Sequence, residues 1–123
     1  MRSLVYWWPV VGCAGVIFFL SAQSHPEDLL PLSLLKDVSD KVLHAVEYGI
    51  LSLVLYRAFR WAAGPAVARQ AAVLAIVTAS VFGLTDEVHQ FFVPFRDSSW
   101  QDWAADTIGA VIGVMSWRSI RSE

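Results

Sequence analysis

The fold is decided by residues 41–61, KVLHAVEYGILSLVLYRAFRW, which join a long apolar stretch to ionisable residues at its beginning. About 20 residues of helix cross the roughly 30 Å hydrocarbon layer of a bilayer. Lys41, His44 and Glu47 stand in the first two turns, close to one surface of such a layer. The segment therefore predicts a membrane-spanning helix with one polar end.

The composition of the whole chain supports a membrane protein. Of its 123 residues, 56% are apolar and 16% are charged, whereas soluble domains have about 45–50% apolar residues and about 25% charged ones. The length suits one domain, and the apolar content excludes a disordered chain. A net charge of -2 gives no reason to expect a nucleic-acid partner, and a single cysteine excludes an internal disulfide.

Three further segments have a similar apolar character. They lie at about 4–22, 67–89 and 101–118, and the turn Ala63-Gly64-Pro65 ends the helix of residues 41–61. Residues 4–22 exceed the roughly 7–15 apolar residues of a cleaved signal peptide, so we expect a retained helix. The sequence thus predicts an all-α bundle of four transmembrane helices with antiparallel neighbours, in a single domain 1–123 whose outer loops are 23–40 and 90–100.

The predicted topology separates the charges by sign. Both termini and the turn near Gly64 fall on one side, where Glu123 is the lone acid. Because short loops rich in Lys and Arg stay in the cytoplasm, we expect cytoplasmic N and C termini and an extracytoplasmic acidic side. The cations of the terminal side are Arg2, Arg57, Arg60, Arg69, Arg118 and Arg121.

Three of the predicted spans carry ionisable residues at the same end. Residues three or four positions apart share one face of a helix, and charged groups inside hydrocarbon face a bundle interior or water. On the third span, Glu87 is expected to point away from the face that carries Asp86 and His89. The stripes are Asp40, His44, Glu47 or Tyr48, and Leu51 on the second span, Phe82, Asp86 and His89 on the third, and Asp102, Asp106, Gly109 and Gly113 on the fourth.

Two kinds of chemistry suit these stripes. Imidazole and carboxylate groups can hold a divalent cation such as Mg²⁺, Mn²⁺ or Zn²⁺, or form a hydrogen-bonded network without an ion. They can also exchange protons with a substrate in acid and base catalysis. Ion or proton passage ranks lower, because the inner halves of the helices are apolar. The candidate metal ligands are His44, Glu47, Asp86, His89 and Asp106.

Gly109 and Gly113 form a GxxxG pattern, which lets another helix approach closely. The pattern predicts helix packing at this face. The packing partner is either another helix of the same chain or a second chain in a homodimer.

Four blocks of this sequence resemble the VanZ-like family of small bacterial integral membrane proteins. They are SAQS at 21–24, DKVLHAVEYGILSL at 40–53, TDEVHQFFVPFR at 85–96 and DWAADTIGAVIG at 102–113. Their order and spacing cover nearly the whole chain. The resemblance implies a location in the bacterial inner or plasma membrane and an association with resistance to the glycopeptide teicoplanin. It leaves open whether the protein is an enzyme.

Together with the stripes, the resemblance assigns the site residues. Asp106 departs from the family pattern, which usually has Asn there, so the site gains a carboxylate. The candidate catalytic residues are His44, Asp86, Glu87 and His89. The candidate ligand-binding residues are Gln23, Ser24, Asp40, Lys41, Tyr48, Gln90, Arg96, Asp102 and Asp106.

The leading hypothesis is a cell-envelope membrane protein with a polar pocket that faces the periplasm or the exterior. The pocket would bind or process an envelope lipid headgroup or a glycopeptide-type ligand, and the expected partners are membrane lipids and such a lipid-linked substrate or glycopeptide. In the competing hypothesis the polar network only holds the helices together, in a non-enzymatic structural or assembly protein.

Overall fold

A computed structural model describes residues 2–21, 40–93 and 100–121. Within these ranges the chain is helical, with short turns and no strand, which confirms the predicted all-α class. Four long helices and one single-turn helix follow one another along the chain. They are α1 (Arg2–Ser21), α2 (Asp40–Trp61), α3 (Pro65–Ala68), α4 (Ala71–Phe91) and α5 (Trp100–Arg121).

Three of the long helices are apolar enough to cross a membrane, over Ser3–Ser21, Val42–Trp61 and Ala71–Phe91. The predicted fourth span, α5, is equally long, yet it is not among these candidates. Asp102 and Asp106 at its start and two arginines in its last turn lower its hydropathy. The prediction of a helical membrane protein is therefore confirmed, with three candidate spans rather than four.

The connection between α2 and α4 differs from the prediction. Gly64 adopts a φ of 94°, which a residue with a Cβ atom rarely takes, and this confirms the predicted break. Beyond it, the predicted helix of residues 67–89 is interrupted, because Gln70 leaves helical geometry at φ -111° and ψ 16°. Its amide bonds to Val67 three residues back, at 3.0 Å, so α3 closes before α4 begins.

Helix α2 packs most extensively on α5, and the two run parallel. Their backbones approach closely, since a Cβ atom on Gly109 would overlap the carbonyl oxygen of Ala45, and one on Gly113 would overlap that of Gly49. Ser52, fully buried on α2, donates a hydrogen bond to the carbonyl of Ala110, 2.8 Å away. The structure thus places the predicted GxxxG face against α2 of the same chain.

Helix α4 meets this pair through small residues. Ala71, Ala75, Ala79 and Gly83 recur every fourth position, and all are buried. Because residues four apart lie on one face, they form a ridge without bulky side chains on which the neighbouring helices can rest. The core beside this ridge contains Tyr48, Leu51, Leu55, Ala110 and Val114.

Helix α1 is peripheral, and most of its surface is exposed. Trp7 meets Phe59 of α2 edge to face, with ring centroids 5.6 Å apart, and Phe18 lies beside His89 of α4. Among the described residues, nothing lies within 4 Å of a Cβ atom built on Gly12 or Gly15. The glycines of α1 therefore do not serve close packing against the described helices.

These contacts define two ends of the bundle. The acidic end contains the start of α2, the end of α4 and the start of α5, with His44, Glu87 and Asp106. The arginine end contains the start of α1, the end of α2, the α3 turn, the start of α4 and the end of α5. Its cations with described side chains are Arg57, Arg60, Arg69, Arg118 and Arg121.

Candidate functional site

The acidic end is organised around a buried pair between α2 and α5. The Nδ1 atom of His44 and the Oδ1 atom of Asp106 are 2.7 Å apart, and the residues are 4% and 0% exposed. The close approach of the helices at Gly109, one turn further along α5, brings the two side chains together. An ionised carboxylate only accepts hydrogen bonds, so Nδ1 of His44 carries the hydrogen when Asp106 is ionised.

Helix α4 adds two carboxylates to this pair. Asp86 and Glu87 are both buried, at 4% and 5% exposure. The expectation that Glu87 turns aside is therefore wrong. The buried positions of α4 include Gly83, both carboxylates and Gln90, because α4 packs against α2 and α5 and so buries a wider face than one stripe.

Within the described part of the chain, three side chains converge as a candidate metal site. One potential ligand atom each from His44, Glu87 and Asp106 lies within 4.8 Å of the other two. Of the predicted ligands, His44 and Asp106 belong to this group, and Glu87 joins them. Glu47 and His89 are half-buried and Asp86 is buried, and none of the three belongs to the converging group. One imidazole and two carboxylates suit Zn²⁺ or Mn²⁺ by donor chemistry.

The same end contains polar atoms that are not satisfied by other described residues. The hydroxyl of Tyr48, Oδ1 of Asp86, Nδ1 of His89 and Oδ2 of Asp106 are buried and lack a hydrogen-bond partner there. Each such group costs about 1–3 kcal/mol when it stays unpaired. Unused hydrogen-bonding capacity at four residues of one end can be satisfied by ordered water, an ion or a ligand.

The shape of the site depends on a glycine opposite Asp106. A Cβ atom on Gly83 would lie 2.9 Å from Oδ2 of Asp106 and 3.3 Å from Cε1 of Tyr48. The Tyr48 ring also lies nearly parallel to the ring of His44, with centroids 6.5 Å apart. The absence of a side chain at Gly83 thus leaves room for the side chain of Asp106.

Hydroxyl and indole groups tie α4 to α5 beside the cluster. The Trp103 indole donates to the carbonyl of Ser80 at 2.9 Å, and the hydroxyls of Ser80 and Thr107 are 2.9 Å apart. Thr107 in turn donates to the carbonyl of Trp103. The sequence interpretation missed Ser80, Thr107 and Ser52, although hydroxyl residues inside apolar helices are the signal that points to such bonds.

An apolar cavity of about 410 Å³ opens beside the cluster, between the end of α4 and the start of α5. Among the described residues that line it, Glu87 is the ionisable one. Glu87 therefore belongs both to the converging polar group and to the wall of the cavity. The apolar lining consists of Leu84, Val88, Phe91, Phe92, Trp100 and Trp103.

The remaining predicted residues are placed as follows. Gln90 and Asp102 are buried at the acidic end, at 1% and 9% exposure. His89 is half-buried, with its ring centroid 4.6 Å from that of Phe18 on α1. Asp40 and Lys41 belong to the first turn of α2, and their side chains are not described; Gln23, Ser24 and Arg96 lie outside the described residues.

Comparison with known proteins identifies the family. The family model VanZ/LLP1 matches residues 6–121, nearly the whole chain. No curated protein matches the chain, and no solved structure matches it. The match includes α2, α4 and α5, which carry the polar cluster, and most of α1. The chain belongs to the VanZ/LLP1 family.

Proposed function

We propose that this protein binds a lipid-linked ligand of the bacterial cell envelope, with the ligand's polar headgroup at the buried cluster and its apolar chain in the adjoining cavity. The proposal rests on Glu87, which belongs both to the polar cluster and to the wall of the apolar cavity. Its carboxylate is within ligand-sharing distance of His44 and Asp106, and the same residue lines the apolar cavity. A polar group at the border of an apolar cavity is the arrangement that an amphipathic ligand requires.

The cavity favours a lipid over a larger ligand. Its volume of about 410 Å³ is within the range of roughly 300–1,000 Å³ that small-molecule sites occupy, near the lower end. Aromatic side chains dominate its lining, which suits an acyl or isoprenoid chain better than a sugar-bearing peptide. In this proposal, an effect on teicoplanin susceptibility follows indirectly, through the envelope lipid that the protein binds.

The unsatisfied atoms support a headgroup at the cluster. Tyr48 can donate a hydrogen bond, and the carboxylates of Asp86 and Asp106 can accept hydrogen bonds or hold a cation. A hydroxyl-bearing headgroup would satisfy both kinds of atom. A phosphate-bearing headgroup would need a divalent cation between its oxygens and the carboxylates, which makes His44, Glu87 and Asp106 the residues to test for a metal.

The distribution of charge supports the orientation. In the proposed topology α5 is a fourth span beside α2, both termini are cytoplasmic, and the cluster faces the periplasm or exterior of the inner or plasma membrane. The arginine end has five described arginines, and no Asp or Glu occurs in residues 2–21, 48–85 or 107–121. Cations of short loops remain on the cytoplasmic side of the membrane.

A structural or assembly role is the second candidate function. It is favoured by the Gly109 contact and by the His44–Asp106 hydrogen bond, which both join α2 to α5. A purely structural network would, however, gain nothing from four buried polar atoms that have no partner among the described residues. That difference makes ligand binding the better-supported function.

Lipid retention by purified protein tests the proposal. We expect native mass spectrometry of protein in a mild detergent to detect a bound envelope lipid, and Glu87→Gln to reduce its occupancy at least fivefold while the thermal midpoint stays within about 3 °C. Glu47→Gln is the matched control, because it makes the same change on a carboxylate outside the converging group. Equal lipid occupancy in all three proteins would overturn the proposal, and so would a loss of lipid that only accompanies unfolding.

The cation is tested on the same preparations. Mn²⁺ or Zn²⁺ at 100 times its Kd should stabilise the folded protein by about 2.7 kcal/mol. Glu87→Gln should abolish this gain, and Glu47→Gln should preserve it. Absence of any thermal shift in the wild-type protein, with no metal detected by elemental analysis, would reject the cation and leave hydrogen bonding as the means of headgroup recognition.

A further inference from the structure

A second cavity lies at the arginine end of the bundle, opposite the site described above. Its volume is about 700 Å³, and it opens between the end of α2, the turn of α3, the start of α4 and the end of α5. Three arginines line it: Arg60 from α2, Arg69 from the connection before α4, and Arg118 from α5. Arginines from three separate parts of the chain thus line one cavity.

The described residues offer these guanidinium groups no nearby acid. Asp and Glu are absent from residues 2–21, 48–85 and 107–121, which contain every described element of the arginine end. The Nε atom of Arg118 is buried and has no hydrogen-bond partner among the described residues. Because a buried N–H donor without a partner costs free energy, the cavity is suited to an anion that accepts a hydrogen bond from Arg118.

The first turn of α4 adds a further attraction for anions. Gln70, Ala71, Ala72 and Val73 line the cavity, and the side chain of Gln70 makes no capping hydrogen bond to the helix start. Backbone N–H groups at the first turn of a 21-residue helix present a partial positive charge of about half a unit. The cavity therefore combines three full positive charges with a helix N-terminus.

Three arginines at this end contact aromatic rings, and one of them is Arg60 of the cavity, whose guanidinium lies 5.8 Å from the ring centroid of Trp61. The guanidinium of Arg57 lies 5.7 Å from the ring centroid of Tyr6 and 5.8 Å from that of Trp117, and Arg121 lies 5.4 Å from Trp117. These two line a separate, smaller cavity of about 330 Å³. Aromatic faces satisfy them in place of an anion, which distinguishes them from Arg118.

We propose that the larger cavity, the arginine pocket, binds the phosphate group of an anionic phospholipid. Planar guanidinium groups recognise phosphate oxygens in a bidentate manner, and helix N-termini bind phosphate as well. The pocket lies at the end of candidate span α2 and at the start of candidate span α4. The ends of membrane spans lie at the depth of the lipid headgroups. The lipid would join the end of α5 to the start of α4, and this inference is independent of the function proposed for the acidic end.

Selective lipid binding tests the arginine pocket. Full-length protein in a neutral detergent is titrated with phosphatidylglycerol, with phosphatidylcholine or with inorganic phosphate, and adducts are counted by native mass spectrometry. We expect phosphatidylglycerol to bind at least tenfold more tightly than phosphatidylcholine. Arg118→Gln and Arg69→Gln should each weaken that binding about fivefold, the contribution of one cation near a membrane surface.

Arg121→Gln is the matched control, since it removes the same charge from the last turn of the same helix but lines the other cavity. It should leave the affinity for phosphatidylglycerol within twofold of the wild type. An equal loss in Arg121→Gln would overturn the pocket in favour of general surface charge, and equal binding of the two lipids would overturn it as well.

Inorganic phosphate distinguishes the two sources of the anion. Failure of 10 mM phosphate to displace phosphatidylglycerol supports a lipid ligand. If phosphate at that concentration displaces the lipid, and Arg69→Gln abolishes this displacement, the proposal of a lipid ligand is overturned. The pocket is then assigned to free phosphate. Arg69 is exposed and lies between helices, so its variant should fold even where that of half-buried Arg118 does not.

Discussion

Charged side chains have opposite environments at the two ends of the bundle. At the acidic end, short side chains such as His44 and Asp106 are buried between helices and contact each other directly. At the arginine end, long side chains such as Arg57 and Arg121 lie at the periphery over aromatic rings. A carboxylate cannot reach water from inside a bundle, whereas an arginine can extend along an apolar surface to the membrane boundary. Burial of charge should therefore dominate stability at the acidic end only.

The largest expected effect comes from breaking the buried pair. His44→Ala leaves the Asp106 carboxylate, which is 0% exposed, without its described hydrogen-bond donor. We expect a loss of about 3 kcal/mol in the free energy of unfolding, as found when one partner of a buried ionic pair is removed. Thermal and denaturant unfolding in detergent micelles measures this loss.

His89→Ala is the control at the same end, because His89 is half-buried beside Phe18. This variant should lose less than about 1 kcal/mol. Similar losses in both variants would contradict the comparison.

A smaller loss should follow when α2 and α5 are forced apart. Gly109→Ala places a methyl group where the carbonyl oxygen of Ala45 lies, so the helices must separate or shift. Overpacking of this kind costs about 2 kcal/mol, and it should also lengthen the His44–Asp106 contact. The thermal midpoint of the purified protein measures the loss. Gly15→Ala should be neutral or slightly stabilising, since no described residue lies within 4 Å of the added carbon. Equal destabilisation by both substitutions would show that α1 contributes as much close packing as the α2–α5 pair.

The smallest effect is expected at the arginine end. Arg57→Gln removes a cation positioned over Tyr6 and Trp117 without burying an unpaired group. We expect a loss of about 0.5–1 kcal/mol, the usual value of a cation–π contact at an exposed or half-exposed position. The same unfolding assay applies, with Arg121→Gln as a second measurement on the Trp117 ring. A loss as large as that of His44→Ala would remove the distinction between the two ends.

The helices and two of the three polar faces could be predicted because spacing alone determines them. His44, Tyr48 and Leu51 are all buried, and Asp102, Asp106 and Gly109 are buried too, as the three-to-four-residue spacing predicts. The polar face of α4 was predicted too narrow. A prediction from residue spacing assumes that each helix packs against one partner. Helix α4 contacts both α2 and α5, and this wider contact buries Glu87.

Other features depend on partners that spacing does not specify. The bond of Ser52 to the Ala110 carbonyl requires knowledge of the α2–α5 register, because a hydroxyl inside an apolar helix can bond to its own preceding turn equally well. The delayed start of α4 depends on the backbone geometry of Gln70, a residue type without a strong turn preference. The arginine pocket likewise exists only once three distant segments meet, although its charges were visible in the sequence.

The parallel contact between α2 and α5 also sets an order of assembly. Asp106 comes from α5, the last described helix, and His44 from α2, so the candidate site stays incomplete until α5 has joined the earlier helices. Among the long described helices, α5 is the one that does not qualify as a span by its own hydropathy. In the proposed topology, its insertion should therefore depend on the α2 surface already present in the membrane, where its buried carboxylates find protein rather than hydrocarbon. A molecule that lacks a properly inserted α2 would then lack α5 in the bundle too, and with it the Asp106 part of the site.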